Sequence, residues 1–412
     1  MFKRIKNRID NSHWERTLYI LAFSQFITAI GFSSIFPFLP LYVKSLGSTT
    51  GLSIELLAGL VFSAQAFTMM IASPIWGGLA DRFGRKLMIQ RASFGGTVLL
   101  FIMAFVTSAE QLVALRAIQG LITGTVAANN ALVASIAPRK RTGYAMGLLQ
   151  VAMGSGVAVG PTIGGLLADA FGYNAAFFGT AFLLFLAGLM VTFGVREDFD
   201  PALAKENNRG SFVREWRQIL TSPGVGAIYG MRFMSQLARM MIIPIAPFFI
   251  LSLMAEDSGV NTFIGVVLGV AAGATTISSI YLGRLGDRIG HRRVLITSIF
   301  AAGLLYLPQS AVTAGWQLLI LQALTGVAMG GVIPSISALL ANHTQPGLEG
   351  AVYGLDNSIN AAGRAVAPLI GSAVAAWFSL RATFTSTALI LFISVGMAIT
   401  LLPKTSTPTQ EN

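Results

Sequence analysis

Three stretches of the chain place charge-binding side chains inside otherwise apolar sequence. Arg232, Gln236 and Arg239 follow one another at helical spacing and share one face. Asn357, Asn360 and Arg364 form a second such face, with Asp356 at its edge. Arg116, Gln119, Thr123 and Asn130 form a third, within about 60° of arc at 100° per residue. Gln25 and Thr28 add two neutral polar groups near the N-terminus. Guanidinium and amide groups so arranged hold a polar or anionic ligand, and a lone acid among them can carry a proton. The chain shows no nucleophile, metal cluster or acid pair, so no catalytic residues, cofactor or metal are expected, and an enzyme or receptor is disfavoured. The glycine-rich stretch "GSGVAVGPT" (154–162) lacks the G-K-[ST] ending of a phosphate loop, so ATP hydrolysis is not expected.

The elements carrying these residues must cross a membrane. The chain is 54% hydrophobic and 11% charged, too little charge for a soluble protein of 412 residues. Residues 17–43, 56–80, 92–109, 117–138, 142–168, 170–195, 258–283 and 382–403 contain no Asp, Glu, Lys or Arg. Such runs read as spanning helices. The uncharged run 294–348 is divided by "LPQSAVTAGW" (307–316), and two further spans, 225–253 and 350–378, carry internal charge. The expected architecture is all-α, with about twelve transmembrane helices. The short alternating strands of a membrane β-barrel are absent from this pattern.

Lys and Arg gather at the N-terminus, at 82–86, at 139–141, across 196–217 and at 284–293, while the other side has only Lys44 and Arg381. This asymmetry places both termini in the cytoplasm and accounts for most of the net charge of +11. It suits an anionic lipid surface rather than nucleic acid. No cleavable signal peptide is visible. With no cysteine, the chain has no disulfide or thiolate chemistry.

The sequence repeats itself. "GGLADRFGRK" (77–86) returns as "GRLGDRIGHR" (283–292), with Asp81 and Asp287 separated by 206 residues. "RAIQGLITG" (116–124) returns as "QALTGVAMG" (322–330) at the same offset, and "GSGVAVGPTIGG" (154–165) as "AAGRAVAPLIGS" (361–372) at 207. Residues 1–195 and 223–412 are therefore expected to be two six-helix bundles, joined by a polar cytoplasmic linker at 196–222. Two parallel repeats suit a transporter with a midplane site between them.

These motifs resemble those of the major facilitator superfamily. "GGLADRFGRK" is similar to its signature between the second and third helices, and "LVALRAIQG" (112–120) to its fourth-helix motif. Gly147, Gly156, Gly160, Pro161, Gly164 and Gly165 fit the spacing G-x8-G-x3-G-P-x2-G-G, which resembles the antiporter motif of the twelve-helix drug:proton antiporters. "GFSSIFPFLPLYVKSLG" (31–47) also looks like the first helix of those exporters. The resemblance covers nearly the whole chain. It implies the major facilitator fold, a bacterial inner-membrane location and export in exchange for protons.

The residues support part of this on physical grounds. In the first charged turn, Gly77 and Gly78 leave a flat face for a neighbouring helix, and Gly84 permits the tight turn. Asp81 stands among Arg82, Arg85 and Lys86, and Asp287 beside Arg288, so each acid can make contacts that exist in only one access state. That would make a latch. The plain alternative is a topogenic cluster with no switching role. Gly160–Pro161 frees a backbone carbonyl and bends its helix, and the glycine ladder reads mainly as an interface with the other half. Arginines inside a membrane turn toward protein or a water-filled cavity. Arg116 could instead snorkel from the outer end of its helix, and Arg232, Arg239 and Arg364 could be structural, bonded to carbonyls or to Asp356.

Four embedded Arg face one embedded acid, and the first helix has no acid. Such a cavity suits an amphipathic small molecule, anionic, zwitterionic or neutral. Asp356 is the leading proton carrier: burial favours its neutral form and a nearby Arg its ionised form. Glu55 is a weaker candidate, and His13, His291 and His343 are expected to be solvated near the cytoplasm. The expected function is export of small amphipathic compounds by proton antiport with alternating access, by a chain working as a monomer. Alternatives are an exporter of one anionic metabolite, such as a carboxylate-rich chelator, or a lipid translocase.

Overall fold

A computed structural model of the chain describes residues 2–122, 124–138, 141–197, 225–254, 259–343 and 349–402. Every regular element among them is a helix, as the long apolar runs dictate. The first half comprises α1 (Phe2–Ser34), α2 (Leu39–Leu46), α3 (Ile54–Phe83), α4 (Arg85–Met103), α5 (Ala109–Ile122), α6 (Thr125–Ile136) and α7 (Thr142–Gly194). The second comprises α8 (Val225–Met241), α9 (Ala246–Leu253), α10 (Val260–Ile289), α11 (His291–Gln309), α12 (Gly315–Met329), α13 (Val332–His343), α14 (Glu349–Trp377) and α15 (Leu380–Leu401).

Among the described residues, fifteen helices make twelve spans because four spans are broken and one element holds two. Gly172, at φ +83°, turns α7 from the fifth span into the sixth. The first span breaks between α1 and α2 at Pro37 and Pro40, and the seventh breaks between α8 and α9 at Pro244 and Pro247, each pair 207 residues apart. The fourth span breaks at Gly124 and the tenth at Gly330–Gly331. Proline removes a ladder donor and glycine relaxes the backbone, so both halves interrupt the same helices. Broken helices are tolerated at membrane depth where they border protein or a cavity. The chain is a multi-pass membrane protein.

Gly84 and Gly290 make the two charged turns, with φ +91° and +95°. The end of the molecule that holds them is called the basic end, and the opposite end, with the 47–53 connection and Gly259, the far end.

The halves meet along two seams, the first segment of α7 against α10 and α3 against α14. Both are tight toward the far end. A Cβ built at Gly59 would lie 2.8 Å from the Pro368 carbonyl oxygen, and one at Gly165 would overlap Asn261. One apolar cluster joins the halves there, including Phe38, Tyr42 and Phe177 with Phe249 and Ile264. Toward the basic end the seams part. Gly77, Gly78, Gly147 and Gly354 have open space around them, and the first half keeps a separate cluster of Trp14, Leu18, Met88, Ile89 and Leu132. The molecule is closed at the far end and open at the basic end.

Candidate functional site

In the first half the polar face is built from three spans. Arg116 of α5 is 2% exposed and does not snorkel. Its Nε donates to the Val61 carbonyl of α3 at 3.3 Å, an Nη to Gln119 Oε1 at 2.6 Å, and its guanidinium lies 5.9 Å from the Phe62 ring centre. No carboxylate pairs with it among the described residues. Gln25 of α1 is buried and accepts a hydrogen bond from Asn129 Nδ2 of α6 at 2.8 Å, with its own Nε2 left without a partner. Thr28 is buried one turn further along α1. Asn130 Oδ1 is also buried without a partner. Thr123 lies outside the described residues.

In the second half, Arg232 of α8 and Asp356 of α14 form a two-point ion pair. Nε stands 3.1 Å from Oδ1, and an Nη donates to Oδ2 at 3.1 Å. Both residues sit seven positions in from the basic ends of their helices, so two spans running the same way bring them level. Arg364 lies eight residues beyond Asp356 on one helix, about 12 Å along its axis, too far to be the acid's partner. Arg232, Ser235, Gln236 and Arg239 line a narrow recess with Met329, Val332 and Ile333. A Cβ at Gly363, next to Arg364, would lie 3.0 Å from the Gln236 side chain, which brings α14 against this recess. Arg364 Nε, Gln236 Nε2 and Asn360 Oδ1 are buried without a hydrogen-bond partner. Asn357 is exposed. Of the three arginines Arg232, Arg239 and Arg364, only Arg232 reaches the acid among the described residues.

The charged turns behave differently from each other. The side chain of Asp81 lies outside the described residues, and Gly77 and Gly78 meet no neighbouring helix, because the basic ends of the halves stand apart. Arg82 is exposed. The backbone N–H groups of Arg85 and Lys86 donate to Glu197 at 2.9 and 2.7 Å, which caps α4, and Lys86 Nζ donates to the Thr192 carbonyl at 2.9 Å. In the second turn Asp287 is 3.1 Å from His291 Nε2, four residues on in the same turn. Among the described residues this contact, from the end of α10 to the start of α11, is the one ion pair of Asp287, and Arg288 is exposed. His291 is not solvated as expected: its side chain is only 15% exposed, tucked against Gly286.

The glycine ladder departs from its expected role. A Cβ at Gly156 would lie 2.6 Å from the Phe26 carbonyl, one at Gly160 2.6 Å from the Ile30 carbonyl, and one at Gly164 would overlap the Ser34 carbonyl. These three positions face α1 of the same half, not the opposite half. Only Gly165, with Pro161 and its neighbours, meets α10. The reason is the 3.6-residue period: glycines four apart share one face, and Gly165 steps off it by one residue.

Four contributors escape the sequence reading. Asn129, next to the expected Asn130, carries the bond to Gln25. Glu197 reads as linker, and Asp169 as a charge between two spans. Arg91 of α4 stacks over Trp76 of α3 at 3.3 Å from the ring centre, and Trp76 Nε1 donates to the Leu121 carbonyl at 2.6 Å.

Known proteins share this architecture. The family model of the Major Facilitator Superfamily matches residues 21–236 and 228–412. The chain is 36% identical over 403 residues to the multidrug resistance protein MdtG of Enterobacter lignolyticus, covering 97% of this chain and 96% of that one. It is also 36% identical to MdtG of Salmonella typhimurium over 385 residues, 93% and 95% of the two chains. Among solved structures, a bacterial homolog of the human lysosomal transporter Spinster superposes with a TM-score of 0.77 at 13% identity, over 94% of this chain and 96% of that one. The nucleoside transporter NupG does so at 0.75 and 14% identity, over 93% and 98%. These two show the fold alone. From the family match and the MdtG relatives together, the chain belongs to the major facilitator superfamily of membrane transporters.

Proposed function

We propose that this transporter exports small amphipathic compounds, by proton antiport and alternating access, from the cytoplasm across a bacterial inner membrane. The observation that carries the reading is the charge balance of the second half. Asp356 is neutralised by Arg232, while Arg239 and Arg364 have no carboxylate partner among the described residues. A cation held in a membrane without an acid favours a ligand that brings a negative group. The anionic or zwitterionic head of an amphipathic substrate fits beside Arg239, Arg364 and Gln236, with its apolar body against Met329, Val332 and Ile333. The multidrug resistance of the MdtG relatives supports an export direction.

Opening at the basic end suits loading from the cytoplasm, with both termini on that side. Protonation of Asp356 would release Arg232 from its two-point pair, which is the charge change a proton-linked cycle needs. Net export of an anion against entry of a proton moves positive charge inward, so a membrane potential negative inside would drive both at about 2.3 kcal/mol per charge per 100 mV. One chain in a lipid bilayer contains the whole site, so the monomer is the working unit.

Inside-out vesicles with a pH-sensitive dye test the reading. Respiration acidifies them, and an exported substrate should release protons from the lumen. Amphipathic anions and zwitterions should dissipate the gradient, and hydrophobic cations of the same size should do so weakly. Dissipation by cations alone would overturn the substrate assignment, and accumulation of substrate with no effect on the gradient would overturn antiport.

A further inference from the structure

The N-terminus of α10 is capped by the opposite half of the molecule. The first N–H groups of a helix have no partner within it, and the positive end of its dipole favours a negative group there. Gly259, at the cap position of α10, has φ +75° and no side chain to fill that role. Asp169 of α7 fills it instead. Its Oδ2 accepts from the Thr262 N–H at 2.7 Å and the Thr262 hydroxyl at 2.6 Å, and its Oδ1 from Asn261 Nδ2 at 2.7 Å and the Asn261 N–H at 3.3 Å.

The repeat shows how unusual this is. The counterpart of α10 in the first half is α3, which caps itself: Ser53 accepts from the Leu56 N–H at 3.3 Å. Ser53 and Gly259 stand 206 residues apart, the offset that relates the charged turns. Asp169, carried 207 residues on, falls on Ala376. One half thus has a self-capping serine and no acid opposite, and the other has no cap and an acid opposite. Among the described residues, only the α7–α10 seam is tied by a charged group in this way. The tie lies at the far end, above backbone contacts between Pro161 and Gly265 that leave no room for side chains. Asp169 is exposed on its other side, so water can replace the protein donors when the seam opens.

We propose that Asp169 is the latch of the far mouth: its bonds to the start of α10 hold the closed state seen here, and their release is a step toward the state open at the far end. The proposal rests on alternating access, and its test separates the two. The cysteine-free chain allows a spin-label pair at Lys44→Cys on α2 and Ser252→Cys on α9, both exposed beside the far mouth. Pulsed electron resonance on the full chain in nanodiscs then reads the far-mouth distance.

Asp169→Ala should shift the ratio of long to short distances by about tenfold. The reciprocal variant Asn261→Ala/Thr262→Val should shift it in the same direction, and combining the two should add little. A second substitution distinguishes a latch from a simple helix cap. Gly259→Asn supplies a local cap with a residue that tolerates the left-handed backbone. In the Asp169→Ala background it should recover thermal stability but leave the long distances populated. An unchanged distribution in Asp169→Ala overturns the latch, as does return of the short distance with Gly259→Asn. Alternating access fails separately if the wild type and every variant show one far-mouth distance while transport persists.

Discussion

Arg232 and Asp356, 124 residues apart in the chain, face each other across α8 and α14 with two nitrogen–oxygen contacts of 3.1 Å. The pair is mostly buried, with side chains 12% and 14% exposed. Arg232 also lines the recess of Ser235, Gln236 and Arg239, and among the described residues no other ion pair joins two non-consecutive spans of the second half.

Removing either partner strands a charge. Arg232→Leu and Asp356→Leu should each destabilise the protein by about 3 kcal/mol, and the double variant should regain most of that loss. Thermal unfolding in detergent measures the cycle. Additive losses would mean that the two groups do not interact.

Arg239 and Arg364 are assigned to the substrate's negative group. Arg239→Ala and Arg364→Ala should each weaken binding of an anionic substrate by about tenfold or more and that of its neutral ester far less. Direct binding to both compounds, compared in each variant, checks this. Equal losses for the two would place these arginines in a structural role.

The close approach of α7 to α1 depends on glycine. At Gly160 an added Cβ would lie 2.6 Å from the Ile30 carbonyl and would overlap the Ser33 hydroxyl. Gly160→Leu should therefore cost at least about 3 kcal/mol or prevent folding, and Gly160→Ala should cost less in the same direction. By contrast, Gly147→Ala, where nothing lies within 4 Å in this conformation, should leave thermal stability nearly unchanged. Thermal unfolding of the three proteins decides it.

Asp81 stands beside Gly77 and Gly78, which face open space in this conformation. If the turn is a latch for the opposite state, Asp81→Asn should slow transport by about tenfold without reducing the amount of protein inserted in the membrane. Turnover in proteoliposomes, normalised to inserted protein, is the measurement. Wild-type turnover would leave the turn a purely topogenic cluster.

How far the chain could be read from its sequence varies with the kind of contact. The spans follow from runs too long and apolar for any other structure. The stripes of Arg232, Gln236 and Arg239 and of Asn360 and Arg364 follow from helical period alone. The partner of Asp356 does not, because period places residues on a face without saying which helix that face meets. The glycine ladder shows the same limit: its spacing announces a close contact, and tertiary packing gives that contact to α1 rather than to the other half. Asp169 and Glu197 are harder still. Their partners are backbone N–H groups at the starts of other helices, and no residue type marks such a donor in the sequence.

In the proposed cycle Asp356 couples proton entry to export. Proteoliposomes holding wild-type protein or Asp356→Asn can be tested in two regimes with one amphipathic anion. With substrate on both sides and no pH gradient, both proteins should exchange labelled for unlabelled substrate. With an imposed pH gradient, the wild type should accumulate substrate against its concentration gradient, and Asp356→Asn should not. Uphill accumulation by Asp356→Asn at the wild-type level would contradict the claim.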